Sequence, residues 1–200
     1  MRGWTYQKAD LRFSGSLRRA LMLGLAAMII QTWGWAAPTA VPDGEVPSFY
    51  VRAVTGPLAG KSVCYVCRNG DRPVVIVMLR DLSPEATSLL KELDQAVNRN
   101  RASGLRCFAV LFSDKPQRDS ARLQTLAFDE KIELPLTIAG EAAMQGSTLA
   151  FPPEATLAVI TYQDRRIIER FSFSPGGCDA KARQSVLVAS ERMLRPDRPE

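Results

Sequence analysis

The 200-residue sequence contains no histidine. That absence removes Ser-His-Asp and Cys-His catalysis, the usual zinc-enzyme ligand sets, and c-type haem attachment through Cys-x-x-Cys-His. Tryptophan is scarce: Trp4, Trp33 and Trp35 all precede position 36. Gly-rich phosphate signatures are missing, because Gly176-Gly177 alone is not one. Internal repeats and low-complexity tracts are missing too. The net charge of +5 is not spread along the chain. Arg2, Lys8, Arg12, Arg18 and Arg19 stand against Asp10, so residues 1–36 hold four of those charges and the rest is near +1. A basic groove for phosphates is therefore not indicated, and nucleic acid is not an expected partner.

The N-terminus accounts for that charge. Arg18-Arg19 precede an apolar stretch, Ala20 to Ile30, eleven residues without a polar side chain. Gly34-Trp35-Ala36 then offers small residues at −3 and −1 for cleavage after Ala36. A charged region, a short apolar region and a small-residue site read together as a secretory signal peptide over residues 1–36. The alternative is an uncleaved membrane anchor. Gln31 and Thr32 interrupt the apolar stretch well short of the ~20 residues that a span needs. Export to the periplasm or the extracellular space is the expectation, with membrane contact only through an uncleaved leader. An exported chain meets an oxidising compartment in which disulfides form and persist.

Residues 37–48 are Pro-rich and read as a linker, mobile at its start. Phe49 to Val54 reads as a strand, and Ser62 to Arg68 as a second short one, with turns at Gly56-Pro57, Gly60-Lys61 and Asn69-Gly70-Asp71. The run Pro73-Val74-Val75-Ile76-Val77-Met78-Leu79 is apolar throughout and bounded by charges. It reads as a strand buried on both faces. Ser83-Pro84 marks a helix start, and Ala86, Leu89, Leu90, Leu93, Ala96 and Val97 recur on one helical face. Leu105 to Phe112 is the next buried strand. A second helix runs around Asp119 to Phe128 with Leu123, Leu126 and Ala127 inward, and Leu134 to Ile138 is a short extended piece. Thr156 to Tyr162 and Arg166 to Phe173 flank Gln163-Asp164-Arg165 as a hairpin. A last helix follows Gly176-Gly177, with Ala182, Val186, Ala189 and Met193 at helical spacing. The β-α-β order of the first core units implies a right-handed parallel crossover.

The cysteines are Cys64, Cys67, Cys107 and Cys178, and four allow three full pairings that the sequence does not choose among. Cys64-Tyr65-Val66-Cys67 is the one motif able to carry redox chemistry, and Lys61 and Arg68 beside it would stabilise a thiolate. Three readings stand: a reversible disulfide, a permanent structural bridge, or half of a tetrahedral thiolate metal site. Cys107, in mid-strand, reads as a buried thiol acting as a small hydrophobe. Cys178 stands where a helix dipole lowers a thiol pKa, or else is a helix-start residue with Asp179 as the cap. A Cys107–Cys178 bridge is not expected, because a helix start would have to reach the middle of a covered strand.

The element order, with Gly60-Lys61, Arg72 to Val77, Glu133-Leu134-Pro135-Leu136 and Pro153 to Ile160 as matching segments, resembles the thioredoxin-like fold, especially its peroxiredoxin and thiol-disulfide reductase branches. The resemblance covers residues 49–195 and leaves 196–200 as a tail. It implies an α/β three-layer sandwich around a central mixed β-sheet with an N-terminal hairpin extension. In that family the reactive cysteine follows the central strand, at the start of the next helix, where unpaired N–H groups and the helix dipole stabilise a thiolate. Here that stretch is Arg80-Asp81-Leu82-Ser83-Pro84-Glu85-Ala86, with Ala86 at the position that a Thr-Pro-x-Cys pattern would give to cysteine. Ala155 stands where thioredoxin-type members place a cis-proline, and Pro152 and Pro153 lie slightly too early.

Two functions follow as expectations. In the first, the chain is an exported thiol-disulfide oxidoreductase that exchanges with a thiol or disulfide protein partner: Cys64 attacks the partner's disulfide and Cys67 resolves the mixed disulfide. In the second, it is a non-catalytic binding or scaffold domain in which Cys64–Cys67 is a staple. Neither requires a cofactor or a metal.

Overall fold

The computed structural model describes residues 44–140, 149 and 152–194. The leader, residues 37–43 of the linker and the 196–200 tail lie outside the described residues. Seven strands form one mixed sheet in the order β2-β1-β5-β4-β3-β6-β7. They are β1 Val51–Ala53, β2 Ser62–Val63, β3 Val74–Leu79, β4 Arg106–Phe112, β5 Leu136–Ala139, β6 Leu157–Gln163 and β7 Arg166–Phe173. The helices are α1 Tyr65–Asn69, α2 Pro84–Arg99, α3 Pro116–Glu130 and α4 Ala180–Arg192. Strands β3, β4 and β5 are parallel; β6 and the β1–β2 hairpin are antiparallel to their neighbours.

Every residue of β3 is fully buried, because both faces of the strand are covered. Val75, Val77 and Leu79 face a core completed by Leu89, Leu90 and Leu93 of α2, Leu123 of α3 and Val186 of α4. Val74, Ile76 and Met78 face a second core with Phe49, Tyr65, Val66, Phe108 and Tyr162. The layers are therefore α2, α3 and α4, then the sheet, then α1 with the incoming chain. This is the expected three-layer α/β sandwich with an N-terminal hairpin.

Local chemistry sets the element ends. Ser83 caps α2, its Oγ accepting the Ala86 N–H at 3.2 Å, and Pro84 occupies the first turn, where its missing N–H costs nothing. Asp164 and Arg165 both take left-handed backbone, φ 52° and 63°, the turn that matches the twist of a two-residue hairpin. Asp94 is a buried carboxylate with a structural task. Its Oδ1 accepts the N–H groups of Glu133 and Leu134 at 3.0 and 2.8 Å and so ties α2 to the entry of β5.

One expectation needs correction. The stretch Ser62 to Arg68 is not a strand throughout: β2 has two residues, and the chain turns at Cys64 into α1. Leu134 to Ile138 is extended as expected and leads into β5, which joins β1 to β4 and so carries the hairpin into the sheet. The last residues of the 37–48 stretch are held against the fold. Val46 is fully buried, its N–H donates to Arg165 O at 2.7 Å, and Glu45 pairs with Arg165 Nε at 3.0 Å. Backbone pairing and apolar burial outweigh the turn-rich composition there.

Asp119 makes the fold sensitive to acid. Its carboxylate accepts Ser113 Oγ–H at 2.6 Å and pairs with Arg122 and Arg118, each at 3.1 Å. The Ser113 hydrogen bond, with the two arginines, holds its pKa down at about 2. A carboxyl depressed on folding stabilises the native state above its unfolded pKa of about 3.9, and that stability is lost as pH falls through the folded value. Urea midpoints should therefore fall between pH 4 and pH 2, and Asp119→Asn should flatten that decline. Equal slopes in the two proteins would show that Asp119 is not responsible.

Candidate redox site

Cys64 and Cys67 are joined as a disulfide, with their Cα atoms 5.3 Å apart. Cys64 is the N-cap of α1: its Sγ accepts the Cys67 N–H at 3.1 Å, and its carbonyl accepts the Arg68 N–H. Gly70, at φ 57°, ends this single turn of helix. Tyr65 and Val66 point inward. The Tyr65 ring stacks on Phe108 with centroids 5.0 Å apart, and Phe49 meets the same ring at 6.2 Å. Burial raises the Tyr65 hydroxyl pKa, and Arg68 nearby opposes that rise.

This anchoring makes the two sulfurs unequal. Cys64 is only 5% exposed, whereas Cys67 lies on the exposed side of α1. The attacking role expected for Cys64, from its nearness to Lys61 and the usual order of such motifs, falls on the more buried residue of the pair. The sequence reading also missed the helix start, which a five-residue helix signals by no periodicity.

At the end of β3, where this type of fold normally holds its cysteine, Ala86 is buried in the first turn of α2. Arg80 directly follows β3. Its Nη1 donates to the carbonyls of Pro152, Pro153 and Ala155 at 2.8, 3.1 and 2.6 Å. The guanidinium thus ties the strand end to the loop preceding β6. That loop holds Ala155, and no peptide bond among the described residues is cis.

Cys107 and Cys178 are free thiols, both buried. Asp179, not Cys178, caps α4, accepting the Ala182 N–H at 2.8 Å. Desolvation pushes the Cys178 thiol up to about 11, outweighing the opposing effect of Arg183, and burial pushes Cys107 further up. The dipole-activated reading of Cys178 is therefore overturned. A disulfide-probe titration at pH 8 should count no fast-reacting thiol in the native oxidised protein and two after denaturation. A fast thiol in the native protein would contradict this burial. Among the described residues no group of three or more Cys, Asp or Glu side chains is gathered to hold a metal ion. None of their helices is long and apolar enough to cross a membrane.

No family model and no curated protein matches the sequence. Solved structures do. An uncharacterised conserved protein from Geobacillus kaustophilus superposes with a TM-score of 0.60 at 15% identity, covering 82% of this chain and 89% of its own. A secreted Mycobacterium tuberculosis disulfide oxidoreductase, described as homologous to E. coli DsbE, gives 0.53 at 12%, covering 72% of this chain and 96% of its own. The bacterioferritin comigratory protein of Xanthomonas campestris, a reducer of alkyl peroxides, gives 0.55 at 11%, covering 76% and 98%. With its hairpin-extended mixed sheet, and with its Cys-x-x-Cys pair ahead of the central strand rather than after it, the chain has the thioredoxin-like fold.

Proposed function

We propose that the protein is an exported thiol-disulfide exchange protein whose working bond is Cys64–Cys67. The observation that carries this reading is the asymmetry of the pair: an exposed Cys67 bonded to a buried Cys64 whose sulfur already accepts a backbone N–H. A partner thiolate attacks Cys67 Sγ in line with the disulfide. The Cys64–Cys67 bond breaks as the partner–Cys67 bond forms, and the electron pair leaves on Cys64 Sγ. The Cys67 N–H hydrogen bond stabilises that thiolate. A second partner thiolate then attacks the partner sulfur of the mixed disulfide and displaces Cys67 as a thiolate. The protein ends as a dithiol with two electrons gained, and the partner ends as a disulfide. The reverse sequence oxidises the protein. Export is supported by the leader over residues 1–36 and by the presence of a disulfide.

A second reading keeps the disulfide as a staple of a binding or scaffold domain. The burial of Cys64 beside Tyr65 and Val66, and the alanine at the start of α2, favour it. Equilibration against glutathione redox buffers separates the two. A potential near about −200 mV is expected for an exchange site, and a value below about −300 mV would leave only the staple.

A further inference from the structure

Past the leader, the pair sits in the basic part of a stretch whose remainder is net acidic. Residues 46–80 contain five cations and one anion, a net +4, whereas residues 37–200 as a whole carry +1, so the remainder is net −3. Arg52, Lys61, Arg68 and Arg72 lie in the β1–β2 hairpin, in α1 and in the turn after it, on both sides of the disulfide in sequence, and all four are exposed. Among the described residues none of the four is in an ion pair. Elsewhere several cations are matched, Lys91 with Glu130, Arg122 with Asp119, Arg183 with Glu92 and Arg192 with Glu169, while unpaired ones such as Arg99, Lys115 and Arg166 are scattered along the sequence. Asp71 is the single acid of the 46–80 segment.

From this arrangement we infer that the sulfur reaching Cys67 belongs to an anionic partner, a thiol or disulfide flanked by carboxylates. The inference rests on Cys64–Cys67 being an exchange site. Unpaired exposed cations around a reactive sulfur raise the local concentration of anions and speed their encounter. The attacking thiolate is itself negative, so the field favours every thiolate. A carboxylate on the same molecule adds to that advantage, and an ammonium group removes it. One carboxylate on a small thiol and several on a protein segment share this chemistry.

The test reduces the oxidised full-length chain with 3-mercaptopropionate, 2-mercaptoethanol and cysteamine, comparing second-order rates per thiolate. At about 0.01 M salt, where the screening length is ~30 Å, the anionic thiol should outpace the cationic one by roughly threefold or more, with the neutral thiol between them. At 1 M salt, where screening acts over ~3 Å, the three rates should converge. Arg68→Gln combined with Arg72→Gln should bring the anion-to-cation ratio down toward one, and Arg99→Gln, exposed on α2, should leave it in place. Cysteine peptides flanked by glutamates or by lysines distinguish the sources. A larger ratio for peptides than for small thiols assigns the surface to an acidic protein segment, and an equal ratio assigns it to a single carboxylate. Rates independent of thiol charge at low salt would overturn this inference and leave the exchange reading standing. No reaction with any of the thiols would overturn both.

Discussion

Cys67→Ser brings disulfide exchange down to the uncatalysed rate, whereas Cys64→Ser stops it one step later. With Cys67 replaced, the sulfur left on the protein is the buried one, and a partner cannot approach it without displacing α1. With Cys64 replaced, Cys67 remains exposed and still exchanges with a partner disulfide, but no second protein sulfur is present to release the product. The Cys64→Ser protein should therefore accumulate a mixed disulfide with an oxidised small thiol, approaching one equivalent by intact mass, and the Cys67→Ser protein should accumulate almost none. Serine is itself a good N-cap, so substitution at 64 keeps a side-chain acceptor for the Cys67 N–H and the start of α1 need not be lost. Insulin reduction by the two variants and the parent gives the rates. Parental activity in Cys67→Ser would sink the assignment, and so would adduct formation by Cys67→Ser alone.

Phe108→Ala should cost about 3–5 kcal/mol and also make the disulfide easier to reduce. The magnitude is that of removing a fully buried ring and leaving a cavity. The second effect comes from what the ring supports. Tyr65 stacks on it, and α1 is one turn long with no independent stability. Without the ring, α1 loses its main apolar seat and the Cys64 sulfur becomes accessible. Urea unfolding measures the stability. The rate of reduction by dithiothreitol under native conditions measures the exposure. Leu89→Ala, in the core on the other side of the sheet, provides the contrast. It should cost about 2–5 kcal/mol while leaving the reduction rate near the parental value. If both variants accelerate reduction equally, the effect is general loosening and α1 is not specifically seated by Phe108.

The helical face of α2 and the buried run of β3 were legible because each is long enough to express a period or a composition. Leu89, Leu90 and Leu93 recur where a helix needs them, and six consecutive apolar residues with charged flanks leave little but a covered strand. The same is true of the cap at Ser83, of Asp179 at the start of α4, and of the reading of Cys107 as a small buried hydrophobe. The candidate site was legible only in part. The Cys-x-x-Cys spacing announces a pair that can close locally, and the absence of cysteine after β3 rules out this type of fold's ordinary site. The helix that holds the pair gave no such signal. Tyr65-Val66-Cys67-Arg68-Asn69 mixes aromatic and β-branched residues with a strand-like look, and one turn of helix shows no periodicity.

The amino-acid order alone determined the α/β class, the central strand, the cysteine pair, and the histidine-free chemistry open to it, because these follow from composition, spacing and local periodicity. Tertiary structure decided which cysteine of the pair is exposed. Phe108, on a strand more than forty residues later, takes the Tyr65 ring and seats α1, with Cys64 buried and Cys67 exposed. It also decided that the end of the 37–48 stretch is held, since Val46 is buried by pairing with a hairpin turn some 120 residues away. Both outcomes depend on contacts between segments that local propensity cannot bring together. They form only when the sheet and its two cores assemble.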